Sequence, residues 1–327
     1  MKAILKAYSI IFLFTTVAMH AFATETPLVE KKKTYTKTYE LAGSDVVTLE
    51  NKFGELKITT WDRNEIKVEV TMSAKGGNEE RATSILGRLS IEDGKNSKGV
   101  YFRTDINDGE KKHKNSTYKD EGFTINYLVM MPSRNKLSAS NEFGSTIIPD
   151  FNGQISVSSK FGSLTTGKLS NNQKVNVEFG SADIESVTNG DVEIKFSRAI
   201  LSNLDGLVRA TFEHCSGIQL NLNTNLKGLV IKNDFTNLQL NVNKALSAKY
   251  TISTNFGDFH NKTDFDISNN NDNDNDHGPR FKKVYVGKSG SGAIDLKISA
   301  EFSQITVGHS LKMDLKAPKK GDKSVNI

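Results

Sequence analysis

Cysteine is almost missing from this sequence of 327 residues, since Cys215 is its only copy. A single cysteine excludes a disulfide framework, and none follows the N-terminal apolar run to accept a lipid anchor. Long apolar stretches are missing as well, because no later run approaches the roughly 18 apolar residues of a membrane-spanning helix. Proline occurs only five times, whereas threonine, valine, isoleucine and phenylalanine are plentiful. This balance favours β-strands.

The first 23 residues have the pattern of a secretory signal. Lys2 and Lys6 form a charged start, and an apolar run from Ile10 to Met19 follows that is too short to span a bilayer. The sequence AFA at Ala21 to Ala23 matches the small-x-small pattern of a signal peptidase site. We therefore expect a cleaved signal peptide over residues 1–23, against the alternative of a buried N-terminal strand or helix. The mature chain is expected in the periplasm, at the cell surface or outside the cell.

The charge pattern does not indicate a nucleic-acid partner. The 43 Lys and Arg residues and the 38 Asp and Glu residues are interspersed, with a net charge of +5. A nucleic-acid-binding chain would concentrate its basic residues on one face. The basic runs here lie near the termini, at Lys31 to Lys33 and in KAPKKGDK, where chains are usually flexible. We therefore expect a flexible segment over residues 24–38 and a disordered tail over residues 315–327.

One segment has the pattern of an amphipathic helix, the sequence NEERATSILGRL from Asn78 to Leu89. It begins with a polar cap and acidic residues, and its apolar residues follow at helical spacing. Almost everything else alternates between apolar and polar residues and is punctuated by Gly, Asn and Ser. The sequence therefore predicts an all-β protein. Its N-terminal β-rich part, residues 39–135, contains the helix and caps the repeats that follow.

An aromatic motif recurs along the chain, as in SNEFGSTIIP, SSKFGSLTTG and NVEFGSADIE. Its predicted copies are centred on Phe53, Phe143, Phe161, Phe179, Phe196, Phe212, Phe235, Phe256 and Phe302. In most repeats, inward-type residues such as Val157 and Ser159 lie four and two places before the Phe, and apolar residues lie three and five places after it. Each Phe is therefore predicted to face inward, as the core of a repeat, and to end a strand. A corner follows, where glycine is common because sharp bends often need a positive φ.

Two architectures fit this pattern, a meander of β-hairpins and a β-solenoid with stacked coils. Several corners lack glycine, which argues against a tight hairpin turn at every repeat. The residue before the Phe alternates in charge in four consecutive repeats: Glu142, Lys160, Glu178 and Lys195. Stacked coils would place these outward side chains about 4.8 Å apart, as a favourable charge ladder. We therefore predict a β-solenoid with a repeat of 16–23 residues over residues 136–314, with a polar insertion at residues 268–280.

The sequence offers no catalytic, cofactor-binding or metal site. In the run DNDNDHG at residues 272–278, His277 stands where an EF-hand loop requires glycine, and Lys283 stands where it requires glutamate. The run GKSGSG at residues 287–292 lacks the first glycine of a phosphate-binding loop. Cys215 and His214 are neighbours whose side chains would point to opposite faces of a strand. Cys215 also lies three places after Phe212, in a column that is apolar in other repeats, so it is predicted to be a small core residue. The histidines have no spacing typical of metal ligands.

Two segments resemble a known family. LENKFGELKITTWDRNEIKVEV, from Leu49 to Val70, has an N-K-F-G opening followed by W-D, and INYLVMMPSRNKLSASNEFGS, from Ile125 to Ser145, has a strand that ends in Pro before N-E-F-G. With the serial repeats, these motifs resemble the adhesin-like domain family of Bacteroidetes envelope proteins, of the auto-transporter adhesin type. The resemblance extends over residues 39–309 and implies a secreted β-solenoid with a role in adhesion and no catalytic residues. The Asn/Asp-rich insertion departs from the family pattern.

The function predicted from the sequence is that of an exported, non-enzymatic, adhesin-like protein. Its repeated strand faces would bind a cell-surface glycan, an envelope protein or another copy of itself. One alternative is a polysaccharide-acting β-helix enzyme, which would need clustered acids near Asp183 and Glu185. Another is an envelope sensor or structural partner of a membrane regulator.

Overall fold

The computed structural model describes residues 28–107, 121–270 and 281–312. Within these ranges the chain is almost entirely β, with one helix, and its strands belong to one hydrogen-bonded sheet. The all-β prediction is confirmed. The predicted signal peptide, the predicted tail and the DNDNDHG run lie outside the described residues.

The N-terminal part, up to residue 135, contains the helix. Its elements are β1 (Val29–Glu40), β2 (Val46–Lys52), β3 (Leu56–Thr60), β4 (Glu65–Gly76), α1 (Glu79–Gly87), β5 (Leu89–Asn96), β6 (Gly99–Ile106) and β7 (Gly122–Met131).

The remainder consists of strands, several of them long enough to serve two repeats. These are β8 (Lys136–Glu142), β9 (Ser145–Ile148), β10 (Phe151–Lys160), β11 (Ser163–Glu178), β12 (Ser181–Lys195), β13 (Arg198–Glu213), β14 (Gly217–Asp234), β15 (Leu238–Val242), β16 (Ala248–Asn255), β17 (Asp258–Lys262), β18 (Asp266–Asn269), β19 (Lys282–Ser289), β20 (Ile294–Glu301) and β21 (Gln304–Gly308).

Each repeat consists of one strand, a corner and a second strand. The strands before the corners pair in parallel, in the order β2, β8, β10, the second halves of β11 to β14, then β20 and β16. The strands after the corners pair in parallel, in the order β3, β9, the first halves of β11 to β14, then β15, β21 and β17. Equivalent residues are in register, so that Val157 lies beside Ala139 and Val175.

The core lies between these two series of strands. Val157 and Val175, before their corners, and Leu164 and Leu238, after theirs, are all buried. The positions two places before the corner are also buried, but several are polar. Asn141 is one of these, and its side-chain amide donates to the carbonyl oxygens of Gly54 and Ser145 at 3.1 and 2.9 Å. The buried amide thereby has hydrogen-bond acceptors at the corners, as a buried polar group requires.

The spatial order of the last repeats differs from their order in the chain. The repeat formed by β20 and β21 lies between that of β14 and β15 and that of β16 and β17. The loop over residues 290–293 joins β19 to β20 by stepping across β16. Gly290 and Gly292 have φ of 55° and 74° there, and the Ser247 hydroxyl accepts from the amides of Ser291 and Ala293 at 2.9 and 3.2 Å. The GKSGSG run ends in this crossing.

The N-terminal part departs from one prediction and agrees with another. Residues 29–38, predicted to be flexible, belong to β1, which pairs with β4 over its whole length; the prediction of flexibility there is wrong. The strand prevails because Tyr35 and Tyr39 pack against the core and their hydroxyls donate to the carboxylate of Asp93 in β5. The helix is confirmed: the Asn78 side chain accepts from the amide of Arg81 at 2.7 Å, and Ala82 and Ile85 are buried. With nine residues, it is the only helix in the described ranges, and it is too short to cross a membrane.

The glycine that follows several corner Phe residues is required by close contact between repeats. A Cβ atom on Gly144, Gly162 or Gly180 would lie 1.9 Å from the carbonyl oxygen of the equivalent glycine in the preceding repeat. These glycines do not have a positive φ, so the reason expected from the sequence is wrong. The stacking distance, and not the bend, excludes a side chain.

Substituting one of these glycines tests the close contact. We expect Gly162→Ala to lower the free energy of unfolding by about 2–3 kcal/mol, because overpacking of this kind forces the backbone apart. Urea denaturation followed by circular dichroism measures the change. Gly43→Ala is the matched control, since no atom lies within 4 Å of its added Cβ, and equal stability of the two variants would contradict the contact.

Candidate functional site: an exposed aromatic ladder

A column of stacked aromatic rings lies on the outside of the corners. We call it the aromatic ladder, and its rings follow one another in space in the order Phe53, Phe143, Phe161, Phe179, Phe196, His214, Phe235, Phe302, Phe256 and Phe281. Neighbouring centroids from Phe53 to Phe256 are 4.7–5.1 Å apart, with interplanar angles of 3–9°. This distance equals the spacing of strands in a sheet, about 4.8 Å, because each repeat contributes one ring.

The prediction that these Phe residues face the core is wrong for eight of the nine. Phe53, Phe143, Phe161, Phe179, Phe196, Phe235, Phe256 and Phe302 are exposed by 37–50%. Phe212 alone is buried, and it lies two places before a corner, in register with Ile194 and Asn233. His214 takes the ladder position of that repeat. Its interval from Phe196 is 18 residues, the same as between Phe143 and Phe161, so spacing rather than residue type was the signal that could have found it.

The backbone at the corner explains why the rings point outward. Every ladder residue from Phe53 to Phe302 has a left-handed backbone, with φ between 48° and 61°. Its amide donates to the carbonyl oxygen of the residue before the next ladder position, at 2.8–3.1 Å. A left-handed conformation costs a non-glycine residue about 1–2 kcal/mol. Two ring contacts of about 0.5–1.5 kcal/mol each offset that cost, which accounts for Phe at positions where glycine would be expected.

A groove runs beside the ladder across five repeats, from Gly144 to Ser216, with a volume of about 680 Å³. Its lining includes Phe161, Phe179 and Phe196 and corner glycines such as Gly162. It also includes an in-register column of serines and one arginine: Ser145, Ser163, Ser181 and Arg198. The groove therefore combines apolar rings with hydroxyl groups.

The charged residues before the corners form an in-register column on the other side of the ladder. We call it the charge column: Lys52, Glu142, Lys160, Glu178, Lys195 and Glu213. Four of these are the residues whose alternation was noted in the sequence. Neighbours pair at 3.6 Å for Lys52 and Glu142 and at 3.3 Å for Lys160 and Glu178. The alternation ends beyond Glu213, where the next two positions are both acidic.

Hydrogen bonds and ion pairs favour the ionised form of two glutamates here. A bond from the Asn176 amide, and then the Lys160 ammonium, hold the pKa of Glu178 below its ordinary value. The Lys174 and Lys195 ammonium groups, each 2.8 Å away, lower the pKa of Glu193. These acids are ion-pair partners and remain charged at neutral pH.

Cys215 lies at the corner itself, directly after His214, and not in the apolar column that the sequence suggested. It is buried, its amide donates to the Thr236 hydroxyl at 2.9 Å, and its thiol donates to the carbonyl oxygen of Ile194 at 3.2 Å. Burial raises the pKa of the thiol. The His214 ring is held between Phe196 and Phe235. Cys215 is therefore a protonated corner residue, as Ser197 and Thr236 are hydroxyl-bearing ones.

The neighbouring strands bring no further acid beside Asp183, and Glu185 has a lysine partner. Asp183 lies in register with Thr165 and Ile200, and Glu185 is 3.6 Å from Lys168. The groove lining contains no carboxylate, histidine or cysteine among the described residues. In the same ranges, no three such side chains are placed to hold a metal ion.

Comparisons with known proteins give similarities of shape only. No protein-family model matches the chain, and no curated protein sequence matches it either. One similar crystal structure is a candidate cell adhesion protein from Clostridium sporogenes, with a TM-score of 0.26 and 11% identity, covering 86% of this chain and 100% of the other. A candidate adhesin from Bacteroides fragilis has a TM-score of 0.38 and 12% identity, covering 84% of this chain and 97% of the other.

A candidate lipid-binding protein from Parabacteroides distasonis has a TM-score of 0.27 and 11% identity, covering 84% of this chain and 96% of the other.

Replacing one ladder ring tests the balance between strain and stacking. We expect Phe161→Ala to lower the free energy of unfolding by about 1–3 kcal/mol, because two ring contacts are lost while the left-handed backbone stays. Phe161→Gly should be about 1 kcal/mol less harmful, because glycine adopts this backbone freely. At Leu207, which is exposed with an ordinary φ, the order should reverse. Denaturant unfolding measures both pairs, and a glycine variant less stable than the alanine variant at position 161 would contradict the balance.

Acid should weaken the ion pairs of Glu178 and Glu193. The pKa values of Glu178 and Glu193 are lower in the folded chain than the ordinary value of 4.5. Their stabilisation is therefore complete above pH 4.5 and is lost as the pH falls through the folded-state values. Thermal melts between pH 3 and pH 7 should show a steeper loss of stability for the native chain than for Glu178→Gln/Glu193→Gln, by up to about 1 kcal/mol per ion pair. Asp62→Asn, in an exposed turn, should leave the profile unchanged, and equal profiles for all three proteins would refute the assignment.

Proposed function

We propose that the protein is an exported, non-enzymatic, adhesin-like β-solenoid whose aromatic ladder is its contact surface. The in-register parallel repeats support the solenoid. Neighbouring parallel strands need a long connection that returns the chain to the same end of the sheet, usually a helix. A chain that winds into stacked coils makes this return with the strands of the coil itself. The predicted secretory signal supports export. The dispersal of the acids near Asp183 favours binding over polysaccharide cleavage.

The exposed apolar area carries the proposal. Nine Phe side chains of the ladder are exposed by 37–53%, which corresponds to roughly 800 Å² if a whole side chain is about 200 Å². The largest apolar patch on a typical soluble monomer is about 300–600 Å². A patch of this size, bordered by serines on one side and by charges on the other, has the character of an interaction surface.

The stacking of the rings restricts the partner. Both faces of an interior ring such as Phe179 are covered by neighbouring rings, so a partner meets ring edges. A flat sugar ring stacked on an aromatic face is therefore not the expected contact. Apolar side chains of an envelope or cell-surface protein fit the edges, with the serine column and the charge column supplying polar contacts.

Crosslinking on intact cells tests the proposal. We expect the native chain to capture a defined envelope or cell-surface partner, and Phe161→Asn/Phe179→Asn to lose most of that capture. Asparagine tolerates the left-handed backbone but removes the apolar edges. Leu207→Asn, which removes an exposed apolar side chain away from the ladder, is the control. Capture that is equal for all three proteins would show that the ladder is not the contact surface, and capture that is absent for the native chain would refute the adhesin-like role.

A further inference from the structure

We infer that the aromatic ladder binds a second copy of this chain, antiparallel, with the two-fold axis between the repeats of Phe161 and Phe179. The inference rests on the proposed function, since it names the partner of the same surface. It follows from the order of signs in the charge column, from the area of the ladder and from its period.

The charge column is complementary to itself in one antiparallel arrangement. Its six members alternate strictly in sign, beginning with Lys52 and ending with Glu213. When the column is reversed about its centre, Lys160 faces Glu178 of the second copy. The outer pairs are then Glu142 with Lys195 and Lys52 with Glu213. All six contacts join opposite charges.

Displacement of the axis by half a repeat destroys this match. With the axis through Lys160, that residue would face Lys160 of the second copy, and Glu142 would face Glu178. Every other contact in the column would also join like charges, which costs several kcal/mol at an interface. The alternation thus excludes displacement by half a repeat. Displacement by a whole repeat keeps opposite charges opposed but leaves only four such contacts within the column, so the register centred between Lys160 and Glu178 makes the most. The alternation ends beyond Glu213, where Asp234 and Glu301 follow, which limits the overlap to six repeats.

The ladder fits the same arrangement. In the selected register, Phe161 meets Phe179 of the second copy, Phe143 meets Phe196, and Phe53 meets His214. Both ladders have the same period of 4.7–5.1 Å over these repeats, so contacts made at the centre recur at every repeat. The serine column places no like charges opposite each other, because Ser163 meets Ser181 of the second copy and Ser145 meets Arg198.

The area is that of a specific but moderate dimer. The five Phe side chains in the overlap are exposed by 37–49%, or roughly 440 Å² of apolar surface for each copy. Both copies together reach about 900 Å² from the rings alone, and the flanking columns raise the total above the roughly 1,000 Å² expected of a specific interface. Self-association in the micromolar range is the corresponding expectation.

A charge exchange on the full chain tests the inference. Sedimentation equilibrium should show a dimer of the native chain that weakens with added salt. Lys160→Glu places like charges opposite each other twice per dimer, and so does Glu178→Lys; each should weaken self-association at least tenfold. An equimolar mixture of the two variants restores opposite charges at both contacts, so it should dimerise with near-native affinity. Lys249→Glu, exposed on β16 outside the overlap, is the matched control and should dimerise like the native chain.

The mixture separates an interface from a folding defect, since mixing does not rescue unfolded chains. A native chain that stays monomeric to about 100 µM would overturn the inference, and so would a mixture that stays monomeric. If the native chain is monomeric but its Phe161→Asn/Phe179→Asn variant loses envelope capture, the second copy is wrong and the proposed contact surface stands. If the dimer forms as described but no cell-surface or envelope partner is captured, self-association stands and the wider adhesin role fails.

Discussion

The hydrogen bond from each ladder amide to the next repeat is the contact on which the rest of this structure depends. It holds the corner residue in a left-handed conformation with φ near 50–60°, and this conformation sends the side chain out of the core. Because the bond recurs between successive repeats, the rings are set at the spacing of the strands. The aromatic ladder, the groove beside it and the charge column before it are consequences of one repeated backbone contact.

The second corner residue adapts to the same contact in two ways. Where two repeats approach most closely, as at Gly144 and Gly162, only glycine fits. Where they do not, a hydroxyl group bridges them: Ser197 accepts from the amide of Gly180 at 2.9 Å and donates to the carbonyl oxygen of Lys195 at 2.6 Å. Thr236 and Ser303 do the same further along. The change from F-G-S to F-S-R is therefore a change in how the stack is bonded, and the corner remains.

The alternation of apolar and polar residues was sufficient to predict most strands after β1 and most of the buried positions, because burial on one face imposes period two. The helix was predicted from its polar cap and the helical spacing of its apolar residues. It could not orient the corner Phe, because the period is interrupted there and a large apolar residue is usually buried. Alignment on residue type also placed Phe212 in the ladder, although Phe212 fills a core position and His214 lies outside. The position of the repeat of β20 and β21 could not be predicted either. Parallel pairing of repeats is a long-range choice that leaves no local pattern, and the crossing over residues 290–293 resembles any glycine-rich turn.

The alternating charges have more to contribute between copies than within one. Exposed ion pairs such as that of Lys160 and Glu178 contribute at most about 1 kcal/mol to a monomer, and the repeats are already held by backbone bonds and by a buried core. A column of single sign would cost little more at physiological salt, since water screens it. At an interface that excludes water, the same six charges separate the register from those displaced by half a repeat by several kcal/mol. Rings of equal spacing would otherwise allow the two ladders to slide, so the apolar surface supplies affinity and the charge column supplies the register that a periodic surface lacks.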